Sequence, residues 1–503
     1  MADDRTFLLG LDAGNTVIKA VLFDLAGRQV AMSALDGQSF SPAPGHVERD
    51  LGELWSNAQT VIRECLDMAA VEPSQIAAVG CAGHGNGLYL LDKDNEPLLG
   101  IQSLDTRAAD HAGRLREANG DRLHALCLQE PWPSQTPTLL AWIKDNRPEL
   151  YARTGTVLLC KDFMTFKLTG ERVSEISDMS GCGLLRLPDN CYDTGLLDLY
   201  DLSDAEEMLP RLVEPADIAG HITAEAARAT GLKEGTPVVG GYFDVIASAL
   251  GSGVIHPGEA SIIAGTWSIN QVLSETPIVD RAMFMASGFA PDRFVNIESS
   301  ATSAANLEWY VRELVERGKH HDDPFGYCND RIAEVLPAAD DPFFHPFLYG
   351  SRLGADFRAG FYGLAGWHSE GHLLRALFEG VLFEHRRHIE VLGRTGVTFD
   401  RAVLSGGGSR SPVWPQMFAD CLGVPITVAE ARETGALGAA IGGGVGVGLF
   451  ASYEAAVAAM TRAQKEYLPD GAMRTHYDRR YRTFCKLTDA LRSFWADMHS
   501  AAG

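Results

Sequence analysis

FLLGLDAGNT, residues 7–16, joins an apolar run to a turn that is flanked by glycines. Phe7–Leu11 is typical of a buried strand, and the first turn, Gly10-Leu11-Asp12-Ala13-Gly14-Asn15-Thr16, carries backbone amides and a hydroxyl that can face an anion. A second apolar run, Ala260–Ala264, leads in the same way into the second turn, Gly265-Thr266-Trp267-Ser268. Two such turns, one in each half of the chain, predict a clamp on a polyphosphate.

The segments that follow the first turn predict an α/β architecture. Val17–Asp24 alternates between two faces with a period of two, as a strand does, and Gln29–Leu35 continues the meander. Apolar residues recur at helical spacing over Leu51–Ala70, and predicted strands and helices alternate after it. We therefore expect an α/β protein.

The second half of the chain repeats this layout without repeating its residues. Ile269–Leu273 resumes as a strand after the second turn. Turn residues in Gly251–Gly258 supply hinge freedom between the halves, and a chain of 503 residues exceeds what one hydrophobic core usually supports. We predict two domains, residues 1–250 and 251–503.

The composition excludes several classes of protein. The net charge of −23 would repel a nucleic-acid backbone, and no run of about 18 apolar residues is present, so we expect neither nucleic-acid binding nor a membrane span. Nine cysteines without a Cys-x-x-Cys pair are typical of reduced thiols, and Met1–Arg5 lacks the apolar stretch of a secretory signal. The sequence therefore predicts a cytoplasmic protein.

Asp12 lies at a strand end inside a Gly-x-Asp-x-Gly turn. A carboxylate in this position can hold Mg²⁺, directly or through water, beside the phosphates of a ligand. The alternative is an Asx-turn that only ties the loop together. We interpret Asp12 as a candidate metal ligand and Gly14, Asn15 and Thr16 as candidate phosphate contacts.

Asp244 ends the segment Gly240-Gly241-Tyr242-Phe243-Asp244 and leads into Val245–Leu250, which is typical of a helix start. Such a carboxylate can simply cap the helix. The functional interpretation is a base that orients a substrate hydroxyl and accepts its proton as a phosphoryl group arrives. This interpretation makes Asp244 the candidate catalytic residue.

Three successive glycines, Gly406-Gly407-Gly408, follow the predicted strand Arg401–Leu404. They leave no Cβ in the turn, so a flat ring can lie close to the backbone, whereas a tight strand-to-helix connection needs only one or two glycines. We predict Ser411 as the N-cap of the next helix and Pro412 as its first residue. Thr434–Ala440 is a small-residue helix start that packs against either a nucleotide or a neighbouring helix.

Polar side chains also lie in the sugar loop, Gly83-His84-Gly85-Asn86-Gly87. His84 and Asn86 on such a loop suit recognition of sugar hydroxyls, although a single loop histidine is more often structural. Asp105 follows another apolar stretch and is predicted to join them. The motifs of a Walker ATPase, an α/β hydrolase and a zincin are all missing from the sequence.

These segments together resemble the FGGY carbohydrate kinases, and the likeness runs from about Phe7 to the region of Gly435 and beyond. The most specific stretch is Ala359-Gly360-Phe361-Tyr362-Gly363-Leu364, followed seven residues later by His372–Glu379, which fits the C-terminal signature of the family. The resemblance implies two RNase H-like domains of the actin and hexokinase ATPase type around a central cleft. It also implies ATP and Mg²⁺ as cofactors, a small sugar or polyol as substrate, and a possible homodimer.

The resemblance implies a role for each motif. Asp12 would be the acid associated with the metal, and Asp244 the base. The ATP contacts would come from Gly14, Asn15, Thr16, Gly265, Thr266, Gly406, Gly407, Gly408, Ser411 and Gly435. The sugar contacts would come from His84, Asn86, Asp105, Phe243 and Asp244.

The chain departs from the family at two places, the first by drift in a helix and the second in a loop that bears on the substrate. The N-terminal signature around Thr136–Asn146 has Leu139 where a lysine is usual, while Trp142 is retained. Xylulokinases commonly show Gly-Gln-Met-His-Gly where this chain has the sugar loop, and Tyr242-Phe243-Asp244-Val245 looks more like the L-xylulose kinase branch. The resemblance thus implies a ketopentose kinase, with L-xylulose ahead of D-xylulose and of erythritol. The alternatives are an ATP-binding module of the actin or chaperone type and a sugar-binding regulator without turnover.

Overall fold

The structure, a computed structural model, describes residues 6–290, 292–317, 320–354, 357–394 and 396–502. The chain divides into two compact units. Unit 1 takes in Met1–Pro257, Leu273–Asn296 and Glu433–Arg462, and unit 2 takes in Gly258–Val272, Ile297–Arg432 and Ala463–Gly503. The chain first leaves unit 1 inside the predicted boundary region, Gly251–Gly258. It later returns to unit 1 twice, and no signal in the sequence predicts these returns.

The elements up to Pro257 belong to unit 1. The strands are β1 (Phe7–Ala13), β2 (Val17–Asp24), β3 (Gln29–Asp36), β4 (Glu48–Arg49), β5 (Ile76–Gly83), β6 (Leu88–Asp92), β7 (Pro97–Ile101), β8 (Thr154–Leu158), β9 (Val173–Glu175), β10 (Leu185–Arg186), β11 (Cys191–Tyr192), β12 (Arg211–Val213), β13 (Ile218–His221), β14 (Pro237–Val239) and β15 (Tyr242–Phe243). The helices are α1 (Leu51–Ala69), α2 (Ala109–Cys127), α3 (Thr136–Asn146), α4 (Pro148–Arg153), α5 (Cys160–Thr169), α6 (Ile176–Gly181), α7 (Thr194–Leu199), α8 (Ala224–Thr230) and α9 (Asp244–Gly251), with short 3-10 turns at Pro73–Gln75 and Glu206–Met208.

The remaining elements follow in chain order. The strands are β16 (Ala260–Ala264), β17 (Ser268–Ser274), β18 (Met285–Ala290), β19 (Arg293–Ser300), β20 (Phe343–His345), β21 (Gly360–Tyr362), β22 (Ala402–Ser405), β23 (Ile426–Ala429) and β24 (Ala463–Tyr467). The helices are α10 (Ala305–Tyr310), α11 (Pro324–Ala333), α12 (Glu370–Arg394), α13 (Trp414–Leu422), α14 (Thr434–Gly446), α15 (Tyr453–Met460) and α16 (Gly471–Ala502), with a π-helical turn at Val311–Val315 and a 3-10 turn at Gly407–Arg410.

The central sheet of unit 1 has the strand order β13-β14-β5-β1-β2-β3, and β15 also pairs with β5. Strands β1, β2 and β3 form the predicted meander, and Ile18, Ala20 and Leu22, on one face of β2, are fully buried. Val21 and Phe23 on the other face are buried as well, so the two faces differ in burial only in the first half of the strand, where Val17 and Lys19 are partly exposed. The predicted helix after the meander is α1, which Asp50 caps by accepting a hydrogen bond from the amide of Glu53.

In unit 2, β16 and β17 form an antiparallel pair and β22 runs parallel to β16. In unit 1, β1 and β2 form an antiparallel pair and β5 runs parallel to β1. A hairpin whose first strand has a parallel neighbour thus occurs in both units, which confirms the repeated layout that the sequence predicts.

Helix α14 packs directly on the backbone of unit 1. A Cβ built on Gly10 of β1 would lie 2.0 Å from the carbonyl oxygen of Ala436, and one on Gly438 would lie 1.9 Å from that of Ala247 in α9. Backbone contacts this close exclude any side chain at these glycines. Of the two alternatives for the small residues of Thr434–Ala440, the structure therefore shows packing against a neighbouring helix and against strand β1.

Candidate active site

The register of unit 1 brings three strand ends to one edge of the sheet. Ala13 of β1 lies opposite Gly83 of β5, and Phe243 of β15 also lies opposite Gly83. All three strands run parallel, so their carboxyl ends carry the first turn, the sugar loop and Asp244 respectively. The amide of His84 donates to the carbonyl of Ala13 at 3.1 Å, which ties the sugar loop to the first turn.

Asp12 is partly buried near the end of β1 and lies opposite Lys19 of β2. Lys19 is bound to Glu433 at 2.7 Å. Burial raises the pKa of Asp12 to about 6; the charge of Lys19 opposes this rise and that of Glu433 adds to it. A Cβ built on Gly435 would lie 2.7 Å from Oδ2 of Asp12, so the glycine leaves space beside the carboxylate.

The surroundings of Asp12 fit a hydrated Mg²⁺ ion. Among the described residues, no three histidine, cysteine, aspartate or glutamate side chains are grouped so that they could hold a metal. Mg²⁺ is usually bound through one or two carboxylates, with water and substrate phosphates as its other ligands. Asp12 supplies one such carboxylate.

Three carbonyl groups of the first turn are held by donors from other segments. Nη1 of Arg49 donates to Gly14 O at 2.9 Å, Nε2 of Gln102 donates to Asn15 O at 2.6 Å, and the amide of Gly37 donates to Thr16 O at 2.7 Å. The amide of Gly14 donates to the carbonyl of Val17 at 3.0 Å inside the turn. These bonds fix the backbone of the turn. Neither Arg49 nor Gln102 carried a signal in the sequence.

The side chain of Asn15 is bound within the protein. Its Nδ2 donates to Oγ of Ser103 at 2.8 Å. Its Oδ1 is buried and lacks a hydrogen-bond partner in the described chain. Thr16, by contrast, is exposed, so its hydroxyl is free to meet a ligand. Contacts of Gly14, Asn15 and Thr16 with phosphate stay predictions.

Asp244 is the first residue of α9, and the N-cap position is Phe243. A partly exposed carboxylate remains at this helix start. Burial raises the pKa of Asp244 to about 8, the negative charge of Asp12 adds to this rise, and a hydrogen bond from the amide of Val245 opposes it. A carboxyl group whose pKa is raised by burial and by a second carboxylate is typical of a functional site. The amide of Val245 still binds the Asp244 carboxylate at the helix start, so the catalytic role of Asp244 stays a prediction.

Two of the candidate sugar contacts are already bound to protein groups. His84 is buried, with Nε2 at 2.7 Å from the hydroxyl of Tyr89 and Nδ1 at 3.3 Å from the carbonyl of Gly85. Burial lowers the pKa of His84 to about 4, so the ring is neutral. Both oxygens of Asp105 accept hydrogen bonds from Arg107, and one also accepts from the amide of Val47. His84 and Asp105 thus help to fix the loops, and their contacts with a sugar stay predictions.

Asn86 and Phe243 keep groups that a ligand can contact. Asn86 is buried at a positive φ of 59°, and its Oδ1 has no hydrogen-bond partner in the described part of the chain. The ring of Phe243 fills the space beside two glycines, because a Cβ would lie 2.4 Å from it at Gly85 and 3.3 Å from it at Gly181. Both residues therefore stay candidates for sugar recognition.

Unit 2 places its two glycine turns together. Ile263 of β16 lies opposite Ser405 of β22, so the second turn and Gly406–Gly408 leave the same edge of the sheet. A Cβ on Gly406 would lie 2.9 Å from the carbonyl of Ala264. Thr266 is exposed at this edge. The predicted phosphate contact and the predicted ring contact thus belong to adjacent strand ends.

A cavity of about 610 Å³ opens beside these turns in unit 2. This volume is within the usual range for a small-molecule site. Phe378 and Trp414, stacked at 4.2 Å between ring centroids, contribute to its wall. The residues around the cavity are Ala304, Leu307, Glu308, Asp323, Phe325, Gly326, Asn329, Asp330, Phe378, Gly407, Gly408, Arg410, Ser411, Pro412 and Trp414.

The prediction for Ser411 is wrong in one respect. Helix α13 begins at Trp414 rather than Pro412, and its N-cap position is Val413, because the 3-10 turn Gly407–Arg410 precedes it. The hydroxyl of Ser411 still accepts from the amide of Trp414 at 3.2 Å, and it donates to Oδ1 of Asn329 at 2.7 Å. Helix α11, which carries Asn329, was missed by the sequence analysis although Pro324 is a helix-start signal.

The comparisons with known proteins cover nearly the whole chain. A family model described as the FGGY family of carbohydrate kinases, N-terminal domain, matches residues 7–251, and the C-terminal domain of the same family matches residues 260–447. The L-xylulose/3-keto-L-gulonate kinase of Escherichia coli (strain K12) is 35% identical over 494 residues, which are 97% of this chain and 98% of that protein. A probable L-xylulose kinase of Pasteurella multocida (strain Pm70) is 35% identical over 493 residues, 97% of this chain and 99% of the relative.

A solved structure supports the same grouping. The xylulose kinase from Rhodospirillum rubrum superposes with a TM-score of 0.87 at 29% identity, over 97% of this chain and 100% of that one. These matches confirm the predicted fold class, a two-domain α/β fold of the actin and hexokinase ATPase type.

Proposed function

Because the chain belongs to the FGGY family of carbohydrate kinases, we propose that it transfers the γ-phosphoryl group of ATP to a terminal hydroxyl of a ketopentose, with L-xylulose ahead of D-xylulose. The observation that carries the proposal is the register of unit 1, which brings the first turn, the sugar loop and Asp244 to one sheet edge. The names of the relatives, L-xylulose kinases and a xylulose kinase, support the substrate class.

The proposed step needs a base beside the sugar hydroxyl. The hydroxyl oxygen forms a bond to the γ-phosphorus, the bond from that phosphorus to the β,γ-bridging oxygen breaks, and the hydroxyl proton passes to the carboxylate of Asp244. The products are the sugar phosphate and ADP. Phosphoryl transfer depends chiefly on positioning and charge, so the placement of Asp244 matters more than its basicity.

Each unit offers groups that suit ATP. The cavity of unit 2 offers Gly407 and Gly408 to the base and ribose. Thr266, exposed at the same sheet edge, would contact the phosphates. Mg²⁺, when bound at Asp12, would neutralise charge that develops on the phosphates. Arg49 and Gln102 hold the carbonyls of Gly14 and Asn15. Amides of the same turn would add hydrogen bonds to the phosphate oxygens.

Gly407→Leu is expected to raise KM for ATP at least about tenfold with little change in kcat. Gly407 lines the cavity, and a Cβ there would meet nothing within 4 Å, so the new side chain fits the protein but occupies the space of the nucleotide. Steady-state kinetics over a range of ATP concentrations measures the effect. Gly366→Leu is the matched control, because Gly366 is also exposed and free of neighbours within 4 Å but lies outside the cavity. Equal KM values for ATP in the two variants would contradict the assignment of this cavity to ATP.

A substrate panel tests the proposed function itself. ADP release is measured with ATP and Mg²⁺ in the presence of L-xylulose, D-xylulose, erythritol, glycerol or 3-keto-L-gulonate. We expect release above the sugar-free background with L-xylulose, and less with D-xylulose. ADP release with erythritol alone would show that the substrate is a tetritol and not a ketopentose. If no compound raised ADP release above the background, the proposal would be contradicted.

We place this reaction in the cytoplasm, where ATP is made and cysteines stay reduced. All nine cysteines are free thiols. None of the helices among the described residues is both long and apolar enough to cross a membrane.

A further inference from the structure

A cluster of four charged side chains lies inside unit 1, and none of them has a role in the proposed reaction. Lys161 and Asp162 belong to α5, Glu175 ends β9, and Asp178 belongs to α6. None of the four is more than 1% exposed. Nζ of Lys161 contacts Asp162, and it lies 3.2 Å from Glu175 and 3.6 Å from Asp178.

This cluster is expensive to bury. Burial opposes the charge of Lys161, but the three carboxylates outweigh it and hold the pKa of the ammonium above its ordinary value. Neither oxygen of Asp178 has a hydrogen-bond partner within the described residues. Apolar side chains of the same volume would often give equal or greater stability, so a buried ion cluster is weak evidence for a purely stabilising role.

The cluster is joined to the segment that precedes Asp244. The hydroxyl of Ser177 donates to Oε1 of Glu175 at 2.9 Å, and the same oxygen of Glu175 faces Lys161. The hydroxyl oxygen of Ser177 in turn accepts a hydrogen bond from the amide of Phe243 at 3.1 Å. Because the hydroxyl hydrogen of Ser177 points to Glu175, the lone pairs of the hydroxyl oxygen are available to accept from the amide of Phe243.

Helix α6 is also anchored on its other side. The hydroxyl of Ser287, in β18, donates to the carbonyl of Ser177 at 2.5 Å, and the amide of Gly288 donates to the hydroxyl of Ser180 at 2.8 Å. The ring of Phe243 packs against Gly181 at the end of the same helix. The helix is therefore fixed by contacts on two sides, and one of them reaches the residue before the candidate base.

We propose that Ser177, oriented by the buried pair of Lys161 and Glu175, is a positioning residue that sets the place of the Asp244 carboxylate through the backbone of Phe243. Ser177 is fully buried and touches no substrate in this scheme. The inference rests on the proposed function, since it assigns a support to the base of that reaction. A displacement of about 1 Å at a reacting group can cost about a hundredfold in rate.

Ser177→Ala tests the inference, and Ser180→Ala is its matched control. Both serines are fully buried on α6, but the hydroxyl of Ser180 does not contact Phe243. Its partners are the carbonyls of Ile176 and Ser177, the hydroxyl of Ser287 and the amide of Gly288. We expect Ser177→Ala to lower kcat on the best panel substrate about tenfold or more, with KM for ATP within twofold of the parent value. Ser180→Ala is expected to lower the melting temperature by a similar amount while kcat stays within about threefold of the parent. Equal kcat values for the two variants would overturn the inference.

Hydrogen exchange provides a readout that does not need kinase activity. We expect amide exchange in a peptide that spans residues 242–250 to be faster in Ser177→Ala than in the parent, and unchanged in Ser180→Ala. Unchanged exchange in Ser177→Ala would overturn the positioning role even if the rate fell. Failure of the proposed function is a different result, because the parent protein would then phosphorylate no compound of the panel.

Discussion

Asp244→Asn is expected to lower kcat for sugar phosphorylation by about a thousandfold, within the range of about 10² to 10⁴ that a general base contributes. Asparagine keeps the shape of the side chain but cannot accept the proton of the sugar hydroxyl. Binding of ATP depends on other residues, so KM for ATP should stay within about twofold of the parent. Steady-state kinetics, with the concentrations of ATP and of the sugar varied in turn, measures kcat and KM for ATP separately.

Asp50→Asn is the matched control for this substitution. Asp50 also lies at a helix start, where it caps α1, and asparagine is an equally good cap. We expect near-parent kcat in Asp50→Asn. A kcat for Asp244→Asn within tenfold of the parent, in a folded protein, would contradict the assignment of the base.

The stability of Asp244→Asn should also depend on pH in a direction that the pKa fixes. In the free protein, burial and the nearby charge of Asp12 raise the pKa of Asp244 from 3.8 to about 8. Between these values the native state holds a proton that the unfolded state lacks, so the free energy of unfolding of the parent falls as the pH rises. Asparagine is never ionised, and the melting temperature of the variant should therefore exceed that of the parent at pH 9. The difference should shrink toward pH 5, and thermal unfolding at the two pH values measures it.

Asp12→Asn is expected to lower kcat/KM for MgATP by about a hundredfold. The substitution removes the negative charge that would hold Mg²⁺ beside the phosphates, while Gly435 still leaves space for the side chain. Kinetics at a series of Mg²⁺ concentrations should show that a higher concentration of the ion recovers part of the loss. A loss that does not respond to Mg²⁺ would argue for the Asx-turn alternative.

Asp24→Asn is the control for Asp12→Asn. Asp24 lies at the end of β2 in the same sheet, where it is bound to Arg28, outside the candidate site. We expect kcat/KM for MgATP to stay within about twofold of the parent in this variant. A second readout distinguishes the loss of the Asp12 charge from a general disturbance of the fold. The negative charge of Asp12 raises the pKa of Asp244. In Asp12→Asn, the acid limb of the pH profile of kcat/KM for the sugar should therefore move to lower pH.

The parts of the site that follow strand ends could be predicted from the sequence. The alternation over Val17–Asp24 and the glycines around Asp12 and Gly406 are local signals, since they reflect the geometry of an extended strand and backbone freedom in a turn. Strands that run parallel then bring such turns to a common edge, as the pairing of Ala13 with Gly83 shows. The family signature at Ala359–Leu364 extended the prediction to the fold as a whole.

The partners of these residues could not be predicted in the same way. Glu433, which binds Lys19, is 414 residues from it in the sequence, and Gln102 holds the carbonyl of Asn15 from 87 residues away. The same holds for the bond between Ser177 and Phe243, 66 residues apart. No local pattern marks such a pair, because each residue is ordinary in its own segment.

The sequence by itself determined the strand-and-turn segments, the two-domain α/β class and the candidate roles of Asp12 and Asp244. Tertiary structure alone decided that Thr434–Ala440 belongs with unit 1, that His84 and Asp105 are bound to protein groups, and that the buried Lys161 lies beside Glu175. The physical reason is the range of the interactions. Burial periodicity and turn conformation act between neighbouring residues, whereas desolvation, ion pairing and the raised pKa of Asp244 arise only when folding removes water from groups that are distant in the chain.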